Sequence, residues 1–424
     1  MKIAVIGTGI AGNIISRALH REHELTVFEA ADYIGGHSHT HRITVGGERF
    51  AVDTGFIVFN HATYPNFTRM LSELGVASQD SSMSFSVRNE ASGLEYNGTS
   101  INTLFAQRRN LLRPSFHRLW REILRFNAHA PVLLEPGAAA VTLGEYVREQ
   151  RYSDPFVNNY LVPMAAAIWS AAPAEIGGMP ARFLIGFFRN HGMLSVNERP
   201  QWRTISGGSA NYVEQLVAPF RARIHLKSPV ESIRRLPGHV LVKVRGAEAV
   251  AFDRVFLACH SDQALALLSD ADGLEREVLG AIRYQENEAV LHTDEGLLPR
   301  TRRAWAAWNY HVPVQALERV CVTYNMNILQ AIKAPASLCV TLNGSHMIDP
   351  QRMLRRVLYQ HPIFTPGAVA AQARHAELNG GGGCYYAGAY WRYGFHEDGV
   401  VSAQQALAHF ERDLHAQRTV HRAG

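Results

Sequence analysis

Hydrophobic positions are grouped along this chain in two periods. Ile3-Ala4-Val5-Ile6 is a short unbroken apolar run of the kind a strand buried on both faces requires. Ile14, Ile15, Ala18 and Leu19 then recur with helical spacing, and Leu25-Thr26-Val27-Phe28 forms a second apolar run ending at Glu29. Helical patterns dominate the stretch from 81 to 202. Leu161–Trp169 and Phe183–Phe188 are apolar there, and Leu111, Leu112, Phe116, Leu119, Trp120, Ile123, Leu124 and Phe126 are interleaved with arginines. From 271 to 375 the pattern changes to β-branched and aromatic runs, predicting strands at Ala289–His292, Ala304–Tyr310, Val320–Tyr324 and Leu338–Leu342. The least charged stretch, Leu161–Pro173, is too short and too interrupted by proline to cross a bilayer.

Between the first strand and the first helix lies Gly7-Thr8-Gly9-Ile10-Ala11-Gly12. A strand, a glycine turn, a helix, a second strand and a terminal acid, in that order, predict a dinucleotide-binding βαβ unit. Gly7 permits the tight turn, Gly9 clears space for a pyrophosphate, and Gly12 lets helix and strand approach. The helix N-terminus at Ile10 and Ala11 offers unpaired N–H groups to phosphate. Glu29, at the end of the second strand, is placed to accept ribose hydroxyls, with Ala30 beside it.

This unit does not by itself separate FAD from NAD. The residues after it do so by resemblance. Gly35-Gly36-His37, Val52-Asp53-Thr54-Gly55-Phe56, Pro229-Val230-Glu231-Ser232-Ile233, Val255–His260, Tyr385–Ala389 and His396-Glu397-Asp398-Gly399 resemble successive blocks of the amine oxidase and phytoene desaturase flavoprotein superfamily. Asn190–Leu194, Trp202–Ser209, Trp305–Tyr310 and Gly388–Gly399 are similar to a bacterial subgroup of predicted NAD/FAD-binding proteins related to amine oxidases, often encoded beside cyclopropane fatty acid synthase-type methyltransferases.

The resemblance implies an α/β fold with a Rossmann-type (GR2-like) FAD-binding domain, discontinuous over 1–80, 203–270 and 376–424. An α+β substrate domain would be inserted as 81–202 and 271–375. It implies non-covalent FAD held by Gly7, Gly9, Ile10, Ala11, Gly12, Glu29, Ala30, Gly35, Gly36, His37, Thr54, Gly55, Phe56, Val230, Ala258, Gly388, Glu397, Asp398 and Gly399. A last helix opening near Gly399 is expected to aim its N–H groups at the flavin pyrimidine edge.

A flavoenzyme needs no protein nucleophile, and neither GxSxG nor HExxH occurs. Many amine oxidases carry a lysine near the flavin on a substrate-domain strand. The matching stretch here, Asn287–His292, has none, and the chain holds only Lys2, Lys227, Lys243 and Lys333. The expected activity is therefore FAD-dependent dehydrogenation or desaturation of a lipid-like substrate, fatty acyl or isoprenoid. Amine oxidation and non-redox isomerisation or hydration are the alternatives. His191, Tyr310 and Trp391 are the catalytic candidates. Trp202, Trp308, Tyr324, Asn325 and Tyr390 are further pocket candidates, and His292 with Asp294 a weaker acid–base pair.

Composition adds three constraints. Cys259, Cys321, Cys339 and Cys384 are scattered without a CxxC pair, which argues against a disulfide framework and a metal cluster and suits the cytoplasm. His37, His39 and His41 alternate like a ligand set, but they follow the glycine pair, so His37 is read as a cofactor contact and no metal is expected. The formal charge is +5, and residues 101–130 alone carry six arginines against Glu122. That segment is expected to rest on a solvated face or to make peripheral contact with the inner membrane. No recognition motif for nucleic acid accompanies the charge. The electron acceptor is not encoded in any motif.

Overall fold

The computed structural model describes residues 1–195, 199–315 and 318–423. The apolar run at the amino terminus forms the strand Lys2–Ile6, in which Ile3, Ala4 and Val5 have no exposure. It is the middle strand of a five-stranded parallel sheet. The order is Ile224–His225, Glu24–Phe28, Lys2–Ile6, Arg254–Leu257, Cys384–Tyr386. Three widely separated stretches of chain thus supply one sheet. Such parallel neighbours need crossovers and cover on both faces. The helices Ile10–Leu19 and His396–Ala423 pack together on one side. A small antiparallel sheet, Val230–Leu236, His239–Val244 and Ala249–Phe252, lies in the crossover before Arg254.

A seven-stranded sheet forms the second layer. Its order is Met353–Pro362, Tyr284–His292, Cys339–Leu342, Val322–Asn325, Trp308–Val312, Phe85–Asn89, Leu94–Asn97. All neighbours are antiparallel except Trp308–Val312 with Phe85–Asn89. The four predicted strands of the 271–375 stretch are all present, with shifted ends. Tyr284–His292 starts earlier, and a 3-10 turn at Arg302–Ala304 replaces the start of the third run. The strands Phe85–Asn89 and Leu94–Asn97, inside a stretch read as helical, were not foreseen. Their side chains are almost all buried on both faces, so the alternation that marks a half-exposed strand is missing.

The helices Pro114–His129, Val162–Trp169 and Ala181–Asn190 cover this sheet in one continuous core. Asp53 ties the layers together. Its carboxylate accepts hydrogen bonds from Thr40 Oγ1, from Ser209 N and Oγ, and from Gln330 Nε2, and its own N–H donates to Gln330 Oε1. Complete burial pushes its pKa up to about 6 despite these donors.

Candidate functional site

A cavity of about 980 Å³ runs from the glycine turn to the seven-stranded sheet. It lies at the upper end of the roughly 300–1,000 Å³ usual for ligand pockets. Gly7, Gly9, Ile10, Ala11, Glu29, Ala30, Gly35, Gly36, His37, Thr54, Gly55, Phe56, Val230, Ala258 and Gly388 all line it. An added Cβ shows what each turn glycine does. At Gly9 it would meet no protein atom within 4 Å, so the missing side chain leaves space only for a ligand. At Gly12 it would fall 2.0 Å from the Gly7 carbonyl oxygen, so Gly12 serves the approach of helix to strand and does not line the cavity.

The Glu29 carboxylate is held at both oxygens. Thr8 donates its N–H and Oγ1–H to Oε2, and Ala31 N–H donates to Oε1. Oε1, with a single donor, keeps a lone pair for a ribose hydroxyl. Among the described residues the buried Nε2 of His37 has no hydrogen-bond partner, and its side chain lines the cavity. Open cradle, anchored acid and orphaned imidazole nitrogen together fit an extended adenine dinucleotide.

The far end of this trough is closed by the last helix, which begins at His396, three residues before the expected Gly399. His396 and Phe395 line the cavity, whereas Glu397, Asp398 and Gly399 do not. Glu397 accepts hydrogen bonds from Asn66 N, Asn66 Nδ2 and Phe67 N, capping the helix Pro65–Glu73. Asp398 accepts from Phe395 N at its own helix start. A Cβ on Gly399 would lie 2.5 Å from Ile10 Cγ2, so its role is helix–helix contact. His396 stacks on Phe56 with centroids 3.5 Å apart, and its Nε2 meets Ser38 Oγ and Tyr212 OH at 2.9 Å each. Burial lowers its pKa to about 3.

Of the pocket candidates, His191, Trp202, Trp308, Tyr324 and Tyr390 line the cavity, and Tyr310, Asn325 and Trp391 do not. Tyr310 is on the same strand face as Trp308 but about 7 Å farther along it, inside the core. Trp391 packs on His375 with centroids 4.5 Å apart, behind Tyr390. His292 is buried against Thr341 Oγ1, outside the cavity wall. Of the alternating histidines only His37 reaches the cavity. His39 and His41 do not line it but contact Tyr359 and Thr54, which do. Among the described residues no three His, Cys, Asp or Glu side chains converge as a metal site.

Two histidines present opposite ring edges. His191 Nδ1 lies 3.0 Å from the Phe187 carbonyl, an acceptor, so Nδ1 carries the proton and Nε2 keeps its lone pair. His361 is arranged the other way by a chain of amides. Glu288 N–H donates to Asn343 Oδ1, which makes Asn343 Nδ2 the donor to Val320 O and Asn287 Oδ1. Asn287 Nδ2 is therefore the group 2.9 Å from His361 Nδ1, and His361 carries its proton on Nε2. Both rings line the cavity, and burial lowers both pKa values to about 4, keeping the rings neutral. For His37, burial and then the neighbouring His361, His260, His396 and His39 push its pKa down.

His361, Asn287, His260, Tyr284 and Tyr359 were not singled out from sequence. The strand Met353–Pro362 that carries Tyr359 and His361 has no clean alternation. Asn287 and His361 are 74 positions apart, which no local pattern connects.

The family pattern described as flavin containing amine oxidoreductase matches residues 10–292. The Mycobacterium tuberculosis protein AofH, assigned by its name to the flavin-containing monoamine oxidases, is 26% identical over 260 residues. That match covers 59% of this chain and 55% of AofH, so the chain spans about half the length of this curated relative. Cyclohexylamine oxidase from Brevibacterium oxydans IH-35A has the same fold, with a TM-score of 0.71 at 15% identity over 98% of this chain and 99% of that one. The CLA-producing fatty acid isomerase from P. acnes gives a TM-score of 0.64 at 15% identity over 96% of this chain and 98% of that one. Among the described residues no helix is long and apolar enough to cross a membrane. The sequence match and the cradle for a dinucleotide agree: the chain belongs to the family of flavin-containing amine oxidoreductases, whose cofactor is a flavin.

Proposed function

We propose that the protein is an FAD-dependent dehydrogenase of an elongated apolar substrate, a fatty acyl or isoprenoid chain. The observation that carries this reading is the wall beyond the glycine turn. Met83, Phe85, Leu104, Trp120, Ile123, Met164, Ile168 and Trp169 line it, and among the described lining residues the only carboxylate is Glu29, at the nucleotide end. Among the described lining residues no anion stands at this apolar end to recognise an ammonium group, and none is a lysine. Arg199, the one fixed cation among the described lining residues, suits an acidic head group.

When bound, the flavin supplies the acceptor for a hydride leaving a substrate C–H bond. The chain's residues then have separate tasks. The aromatic and aliphatic wall excludes water and aligns the substrate chain. His191 Nε2 offers a lone pair to the proton released from the adjacent carbon, so that a C=C bond forms. His361 Nε2–H donates to whatever negative charge develops beside it.

Oxidation of an amine is the second reading, favoured by the family match and by the name of AofH. The fold does not choose between them, since its solved neighbours bear the names of both amine oxidases and a fatty acid isomerase. Anaerobic titration of the holoprotein decides. Fatty acyl or isoprenoid compounds are expected to bleach the flavin, and cyclohexylamine and putrescine to leave it oxidised. Bleaching by amines alone, or conversion of lipid with no bleaching at any point, overturns the dehydrogenase reading.

A further inference from the structure

The arginine-rich segment borders the cavity on one side and solvent on the other. The helix Pro114–His129 buries Phe116, Leu119 and Phe126 in the core. Trp120, Ile123 and Leu124 of the same helix, with Ile101 and Leu104 of the short helix before it, line the cavity. Ile101 is nevertheless 80% exposed and Leu124 45%, so these two side chains stand at the cavity mouth. Leu111 and Leu112, on the 3-10 turn Arg108–Leu112, are 50% and 88% exposed. Four large aliphatic side chains are thus held in water within the one segment 101–124, a concentration that marks an interaction surface.

The charges around the patch are of one sign. Arg118 pairs with Glu122. Among the described residues Arg108, Arg109, Arg113, Arg121 and Arg125 are in no ion pair. Arg108 is tied to the carbonyls of Asn102 and Phe105, and Arg109 to that of Gly93, so their positions are fixed while their charge stays uncompensated. The segment's net +5 equals that of the whole chain. An exposed apolar segment interleaved with arginines that form no ion pair among the described residues is complementary to a layer of anionic head groups over an apolar interior.

We infer that this face docks on an anionic phospholipid bilayer, with Ile101, Leu111 and Leu112 entering the interface and Arg108, Arg109, Arg113 and Arg121 meeting the phosphates. The cavity mouth then opens at the level of the lipid. The inference stands on the surface and holds whichever substrate class the cavity accepts.

Flotation of the full-length holoprotein with phosphatidylcholine vesicles, with and without phosphatidylglycerol, tests it. Binding is expected only with phosphatidylglycerol and is expected to weaken as salt rises. Each arginine replaced should reduce it about fivefold. Arg108→Glu/Arg109→Glu/Arg113→Glu should abolish it, and Leu111→Ser/Leu112→Ser should weaken it about tenfold or more. The flavin spectrum and melting temperature of each variant establish that it is folded. Because the arginine contacts here are local, Leu112→Ser alone serves if the triple variant fails to fold. Equal flotation of wild type and folded variants overturns the inference. So does absence of wild-type binding to phosphatidylglycerol vesicles, tighter charge-dependent binding to duplex DNA, or a stable dimer that the leucine variants dissociate.

Discussion

The side-chain amide nitrogen of Asn287 lies 2.9 Å from Nδ1 of His361, across neighbouring strands of the seven-stranded sheet. The contact fixes which nitrogen of a cavity-lining imidazole bears the proton. Asn287→Asp replaces a donor by an acceptor, which moves the His361 proton to Nδ1 and favours the imidazolium. The pKa of His361 should rise from about 4, and flavin reduction by substrate should slow by about 100-fold. Histidine NMR and the pH profile of reduction report the two effects. A profile identical to wild type rules out a role for this pair.

Gly9 and Gly12 should respond oppositely to one added methyl. Gly9→Ala meets no protein atom, so the apoprotein should keep its urea midpoint while losing flavin on purification. Gly12→Ala drives a Cβ onto a backbone oxygen and should cost about 3 kcal/mol of apoprotein stability. Full flavin occupancy in Gly9→Ala contradicts the cradle assigned to the glycine turn.

Glu29→Gln keeps the shape of the ribose anchor but removes its charge. A hydrogen bond to a charged group contributes about 1.5–3 kcal/mol, so FAD affinity should fall roughly 10- to 100-fold, read by fluorescence titration of the apoprotein. An unchanged affinity would exclude the ribose contact.

Glu397 lies in a block that resembles a flavin motif, but its carboxylate accepts hydrogen bonds from Asn66 and Phe67. Glu397→Ala should lower stability by about 2 kcal/mol through the lost cap and leave the flavin absorbance spectrum in place. A shifted or bleached spectrum in a folded variant places the carboxylate at the cofactor after all.

Acid should destabilise the protein well before its carboxylates are all protonated. His191, His361 and His375 are lowered to about 4 and His396 to about 3 by burial. The unfolded chain binds these protons near pH 6.5 and the folded one only near 4. Their stabilisation is thus complete above about pH 6.5 and lost as pH falls toward 4, about 1.4 kcal/mol per pH unit for each proton. Asp53 and Asp398, raised to about 6, act in the opposite sense over that window, but they are outnumbered by the lowered imidazoles, to which His41 and His292, also lowered to about 4, belong. Urea midpoints between pH 7 and 4.5 should fall steadily, and a flat series would refute this account.

What the sequence by itself determined was the nucleotide half. Strand, glycine turn, helix, strand and Glu29 lie within 29 consecutive residues, and each needs only its neighbours to be recognised. Tertiary structure alone decided the substrate side. Trp308 and Tyr310 share a strand face, yet only Trp308 meets the cavity. His396 turns toward it while Glu397 turns to another helix. His361 acquires its tautomer from an amide chain that closes only when two distant strands pair. Local periodicity encodes which face of an element is buried. What that face is buried against depends on chain segments far apart in sequence, and so appears only once the sheets are assembled.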